Sequence, residues 1–209
     1  LHFQVCACVA AGGYFGGAVC SFGFPRAEGD AFLPALRRAY ERFGYGSGKA
    51  TIEPGLPPAP KDGGIDVIAW KDHPDRLPSK LYSLGQTASG SNWIGKSVTQ
   101  DVLPFHGDWF TDSPAAHYVP ALYIPFLTYA DLDEPDDVTY TKAKSVRVAS
   151  RERRFGLIFD RLRIAYHLNE CMKVASSGGA TIDGVDRIKG VAAWVNQTVG
   201  KVASKGGEA

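Results

Sequence analysis

Asp66 and Gln86 are the residues whose types and spacing point most directly to chemistry. They stand at the ends of two short apolar runs, Ile65-Asp66-Val67-Ile68-Ala69-Trp70 and Leu81-Tyr82-Ser83-Leu84-Gly85-Gln86, which read as the strands of one β-hairpin. If Asp66 lies opposite Gln86 in an antiparallel pair, Ile68 faces Leu84 and Trp70 faces Tyr82. A side-chain period of two then places all six on one face. The first strand begins where the second ends, so a carboxylate and an amide oxygen fall at the same end of the sheet. Two oxygen donors on rigid strands make a seat for a hard cation such as Mg²⁺. A slip of one residue in the register would turn Gln86 to the opposite face and undo that seat.

Several elements must hold such a hairpin in place. Over residues 30–43, Phe32, Leu36, Ala39, Tyr40 and Phe43 recur at three- and four-residue spacing and predict a helix that Gly44 ends. Residues 46–62 contain four prolines and read as a loop leading into the hairpin. After Gln86, Ala88-Ser89-Gly90-Ser91 predicts a turn, with Ser91 or Asn92 capping a helix to about residue 103. Residues 118–126 predict a third strand whose prolines suit its ends or a sheet edge. Residues 155–168 predict a buried strand or helix start running into a helix, and residues 181–202 a final amphipathic helix. The resulting order is an α/β sandwich, a mixed central β-sheet flanked by helices. Residues 1–25, rich in glycine and aromatics, are expected to stand apart as a segment linked to a further region, with one domain over 26–209. Opening on Leu1 rather than Met, the sequence reads as a fragment or an incompletely traced chain.

The stretch Asp62-Gly63-Gly64-Ile65-Asp66, followed by an apolar strand ending in Gln86, resembles the Mrr-like branch of the PD-(D/E)XK nuclease superfamily. The resemblance covers roughly residues 28–126. It implies a restriction-endonuclease-like sandwich and a Mg²⁺-dependent (or Mn²⁺-dependent) DNA endonuclease. It also implies a role as an effector in prokaryotic restriction or antiviral defence, held in check by a regulatory domain, a partner protein or a homo-oligomer. By that resemblance Asp66 is the central metal ligand, Gln86 takes the second acidic position, and the carbonyl of Thr87 completes the set. Glu28 or Asp30 supplies a further acid from before the first helix, with Glu41 near the end of that helix as another candidate. The family's lysine should stand two residues after Gln86, where this chain has Ala88. Lys96, on the following helix, is the nearest replacement. A lysine there would orient the attacking water and offset charge gathering on the phosphate. Without such a cation, the alternative is a nuclease fold that binds DNA or a partner protein and does not cut.

Plainer readings stand beside these. Gly63-Gly64 is also an ordinary turn entering a strand, Gln86 suits a backbone partner, and Lys96 suits a solvated helix face. Trp70 and Trp93 are expected in the core. The run Lys142, Lys144, Arg147, Arg151, Arg153 and Arg154 suits phosphate contacts to DNA. It equally suits pairing with the preceding acids Asp131, Asp133, Glu134, Asp136 and Asp137.

With 209 residues, 44% hydrophobic and 22% charged, the chain has the composition of a globular protein able to bury a core. A formal net charge of +1 leaves any pull toward nucleic acid to local patches. Cys6, Cys8, Cys20 and Cys171 are expected to be reduced packing residues. No apolar run approaches the roughly eighteen residues of a membrane span, and a cytoplasmic location is expected. His2, His73, His106, His117 and His167 form no ligand-spaced pair, which argues against a zinc site. Neither a phosphate-binding Gly-x-x-x-x-Gly-Lys-Ser/Thr loop nor a Gly-x-Ser-x-Gly nucleophile elbow is present.

Overall fold

The computed structural model describes the backbone of residues 2–26, 29–58, 60–133, 136–175 and 180–206. In chain order its elements are α1 (His2–Phe15), β1 (Ala18–Ser21), α2 (Phe32–Phe43), β2 (Ser47–Gly48), β3 (Val67–Lys71), β4 (Leu81–Thr87), α3 (Val98–Trp109), β5 (Phe110–Asp112) and β6 (Tyr118–Tyr123). After these come α4 (Asp137–Phe155), β7 (Leu157–Phe159), α5 (Arg161–Ala175) and α6 (Ile188–Gly206).

The main sheet has the order β1-β3-β4-β6-β7, and β2 and β5 form a separate two-stranded ribbon. β1, β3 and β4 pair antiparallel, whereas β4, β6 and β7 run parallel. This is an α/β architecture with a mixed five-stranded sheet flanked by helices. The hairpin keeps its expected register: Ile68 pairs with Leu84 and Trp70 with Tyr82.

Strand alternation splits the core into two layers. Ile68, Trp70, Tyr82 and Leu84 face α2 and α3, where Leu36, Tyr40, Phe43 and Phe105 close over them. Val67, Ala69, Ala121 and Tyr123 face α1, whose Ala7, Cys8, Ala10 and Ala11 pack against the sheet. The hydroxyls of Tyr40 and Tyr82 hydrogen-bond to each other inside the first layer. All four cysteines are free thiols, and three of them are buried. Trp70 and Trp93 are both buried, as expected.

Two elements differ from the sequence reading. Residues 2–25 are threaded into the same fold rather than set beside it. α1 is apolar around most of its circumference and lies between the sheet and α5, and β1 is an edge strand. Pro120 sits within β6, an interior strand. Its carbonyl faces Gly156, on the β7 side, and its missing N–H points the same way. Pairing with β7 begins only at Ala121 opposite Leu157, so no ladder bond is lost.

Candidate metal centre

The chain enters β3 through Gly63 and Gly64, whose φ of 62° and 82° lie in the left-handed region that residues with a Cβ avoid. Asp62 fixes this turn: its carboxylate accepts from Gly64 N at 2.9 Å and from Phe24 N at 3.3 Å. Leaving the turn, Ile65 buries itself in the same layer as Ile68. Alternation is therefore broken between residues 65 and 67, and Asp66 does not share the face of Ile68 and Trp70.

Asp66 is held from both neighbouring strands. Its backbone N–H donates to Gly85 O at 2.8 Å, and its carbonyl accepts from Phe22 N and Gly23 N at 2.8 and 2.9 Å. One carboxylate oxygen, Oδ2, accepts from Thr87 N at 2.7 Å and from Thr87 Oγ1 at 3.0 Å. The other, Oδ1, lies against the Cα of Gly23, close enough that a Cβ there would collide with it and with the Gln4 amide. Gln4, on α1, also donates to Ser21 Oγ at 3.0 Å. Burial pushes the Asp66 carboxyl up to about 6, opposed by the Thr87 donors and by the positive charge of Lys96.

Gln86 turns the other way, toward α3. Its Nε2 donates to Gly64 O at 2.6 Å and to the Asp101 carboxylate. With both amide hydrogens committed, Oε1 is left as a buried acceptor with no donor among the described residues. Asp66 and Gln86 thus leave neighbouring strand ends on different sides, and no hydrogen bond joins them. The six-residue shared face holds for Ile68, Trp70, Tyr82 and Leu84; the broken alternation at Ile65 removes Asp66 from it.

The other expected site residues are distributed as follows. Thr87 meets Asp66 through its N–H and hydroxyl, both donors. Lys96 lies not on a helix but in the extended link between a short 3-10 turn, Trp93–Gly95, and α3, within electrostatic reach of Asp66. Asp30 is ion-paired with Arg38, and its carbonyl accepts from Arg26 at 3.2 Å. Glu28 lies outside the described residues, and Glu41 is exposed on α2. Lys142, Lys144, Arg147, Arg151, Arg153 and Arg154 all fall on α4. Arg147 pairs with Asp131 of the acidic stretch at 2.8 Å, Arg151 bonds Thr128 O and stacks 4.8 Å from the Trp93 ring, and Lys144 lies 4.3 Å over Tyr129.

Asp101, Gln4 and Gly23 are the members of this neighbourhood that sequence reasoning missed. Nothing local marks them, because each reaches the hairpin only through tertiary packing.

Among the described residues no three His, Cys, Asp or Glu side chains converge on one point. The donors that remain are Asp66 Oδ1, a buried carboxylate oxygen with no ion pair, and the orphaned Gln86 Oε1. Both are hard oxygen acceptors, but they lie on opposite sides of the strand ends and do not form one ligand set. Compared with protein-family models, curated proteins and solved structures, the chain matches none.

Proposed function

We propose that this chain is a Mg²⁺-dependent DNA endonuclease of the PD-(D/E)XK type, acting as a regulated effector in prokaryotic restriction or antiviral defence. The observation that carries the reading is Asp66: a carboxylate at the mouth of the central hairpin, buried, raised to about 6, with one oxygen unbonded and no ion pair among the described residues. A buried negative charge in that state calls for a cation. The mixed sheet flanked by helices is compatible with the restriction-endonuclease-like sandwich that the sequence resemblance implies.

Asp66 Oδ1 is the atom that would hold the ion; Gln86, turned toward α3 on the other side of the strands, stays outside that set. When bound, Mg²⁺ would polarise the scissile phosphate and supply a nucleophile at neutral pH. The protein's own contributions follow from its geometry. The Thr87 N–H and hydroxyl fix the Asp66 carboxylate, and Gly23 leaves space in front of Oδ1. Lys96 brings a positive charge to the same end of the hairpin, where it would steady the phosphate and orient water.

A second reading, a nuclease fold that binds DNA or a partner protein without cutting, has its own support. Gln86 is anchored to Asp101 and Gly64, and the family's lysine position is Ala88, buried at 4% exposure. Incubation with supercoiled and linear DNA in Mg²⁺, Mn²⁺ or EDTA separates the two. Metal-dependent cutting that is lost in Asp66→Ala and Lys96→Ala supports the enzyme with its relocated lysine. DNA retained in a gel but left intact under every metal supports the binding module.

A further inference from the structure

We propose that the end of the hairpin opposite Asp66 is a binding site for the phosphate groups of a small ligand. β3 runs from Val67 to Lys71, so this end lies roughly 15 Å from the first site at 3.3 Å per residue. A cavity of about 500 Å³ opens there, within the size range of small-molecule sites. Arg42, Trp70, Lys71, Asp72, Arg76 and Lys80 line it.

The charge around this cavity is unbalanced. Arg42 is answered by Asp183 at 2.9 Å, and Lys80 by Asp72 at 2.5 Å. Lys71 and Arg76 form no ion pair among the described residues. Lys80 is built into the wall: its side chain is 5% exposed, and its ammonium donates to Phe43 O and sits 4.7 Å over the Phe43 ring. Trp70, 1% exposed, backs the cavity, with the Arg42 guanidinium 5.7 Å from its ring centroid. The cavity is thus lined by four cations, two of them, Lys71 and Arg76, unanswered among the described residues, against one lining carboxylate, Asp72. A phosphate, with several acceptor oxygens and negative charge, is the complement.

The loop between β3 and β4 holds Arg76 in place at a conformational cost. Arg76 has a φ of 58°, in the left-handed region that side chains disfavour. His73 O accepts from Arg76 N at 2.9 Å, and Asp75 Oδ1 accepts from Leu77 N at 3.0 Å to fix the turn. Strain retained at a cation lining a cavity fits a residue kept for its contact with a ligand.

Calorimetric titration of the full chain in EDTA tests this, using ATP, inorganic pyrophosphate, adenosine and an unphosphorylated single-stranded hexanucleotide. ATP and pyrophosphate should bind saturably, and adenosine should not. The variant Lys71→Gln/Arg76→Gln changes only exposed side chains and should keep its circular dichroism. It should bind ATP at least tenfold more weakly, while Asp66→Ala binds it normally. No saturable binding of either phosphate probe would overturn the proposal, as would equal ATP affinity in the double variant. Binding of the hexanucleotide alone, lost in the double variant, would also overturn it by making this surface a nucleic-acid track.

Discussion

At Asp66, burial raises the carboxyl to about 6 while the Thr87 donors and the Lys96 charge pull the other way. Between about 4, where the carboxyl of an unfolded chain ionises, and about 6, the fold holds more protons than the unfolded chain. Stability therefore falls as pH rises through that interval and stays lower above it. Asp66→Asn removes this penalty and should be about 2–3 kcal/mol more stable than the wild type at pH 7, with the gap closing below pH 4. Urea unfolding at a series of pH values measures it, and equal pH slopes in the two proteins would contradict the buried charge. Gly23 offers a complementary test. A Cβ at this position meets Asp66 Oδ1 and the Gln4 amide, both ends of side chains that can shift. Gly23→Ala should fold but displace the carboxylate, lowering metal-dependent cleavage by about 10²-fold, the order expected for a misplacement near 1 Å. Cleavage at the wild-type rate would show that Oδ1 needs no free space.

The hairpin was legible in the sequence because alternating apolar residues fix a register, and Ile68 with Leu84 and Trp70 with Tyr82 pair as that pattern requires. The direction of the Asp66 side chain was not legible. It depends on left-handed Gly63 and Gly64 sending Ile65 into the layer of Ile68, and period-two counting does not register such a break. α2 was equally readable, since its apolar stripe faces the sheet and its other face is wet. α1 was not, because a helix of small residues buried on most sides has no stripe. The contact between α2 and the hairpin also carries a stability prediction. Tyr82→Phe leaves the Tyr40 hydroxyl unpaired in the core and should cost about 1–3 kcal/mol in urea unfolding. Tyr40→Phe/Tyr82→Phe, with neither hydroxyl, should recover part of that loss; a double variant as unstable as the sum of both singles would contradict a paired hydrogen bond.

On the scale of the whole molecule, the sheet separates two ends with different chemistry. One end carries Asp66, just before β3, with Lys96 in electrostatic reach, and Gln86 with Asp101 on the other side of the strands; the other end gathers Lys71, Arg76 and Lys80 around a cavity. The α/β class and its mixed sheet followed from the order of apolar runs. The partners Asp101 and Gln4 stayed hidden because nothing in their own neighbourhoods marks a residue that meets the hairpin across α3 or α1. The six cations of α4 illustrate the same limit: composition left their partner open, and packing gives Arg147 to Asp131 and Arg151 to Thr128 and Trp93. Neutralising Lys142 and Arg153 together should therefore weaken retention of DNA in a gel and flatten its salt dependence if α4 tracks a duplex. Unchanged retention would leave α4 a structural helix. The central claim, that Asp66 holds a divalent cation, is met most directly by calorimetric titration of Mn²⁺ into the protein with a short DNA duplex at 4 °C. The account predicts saturable binding to the wild type and none above background to Asp66→Asn; equal binding to both proteins, or none to either, would contradict it.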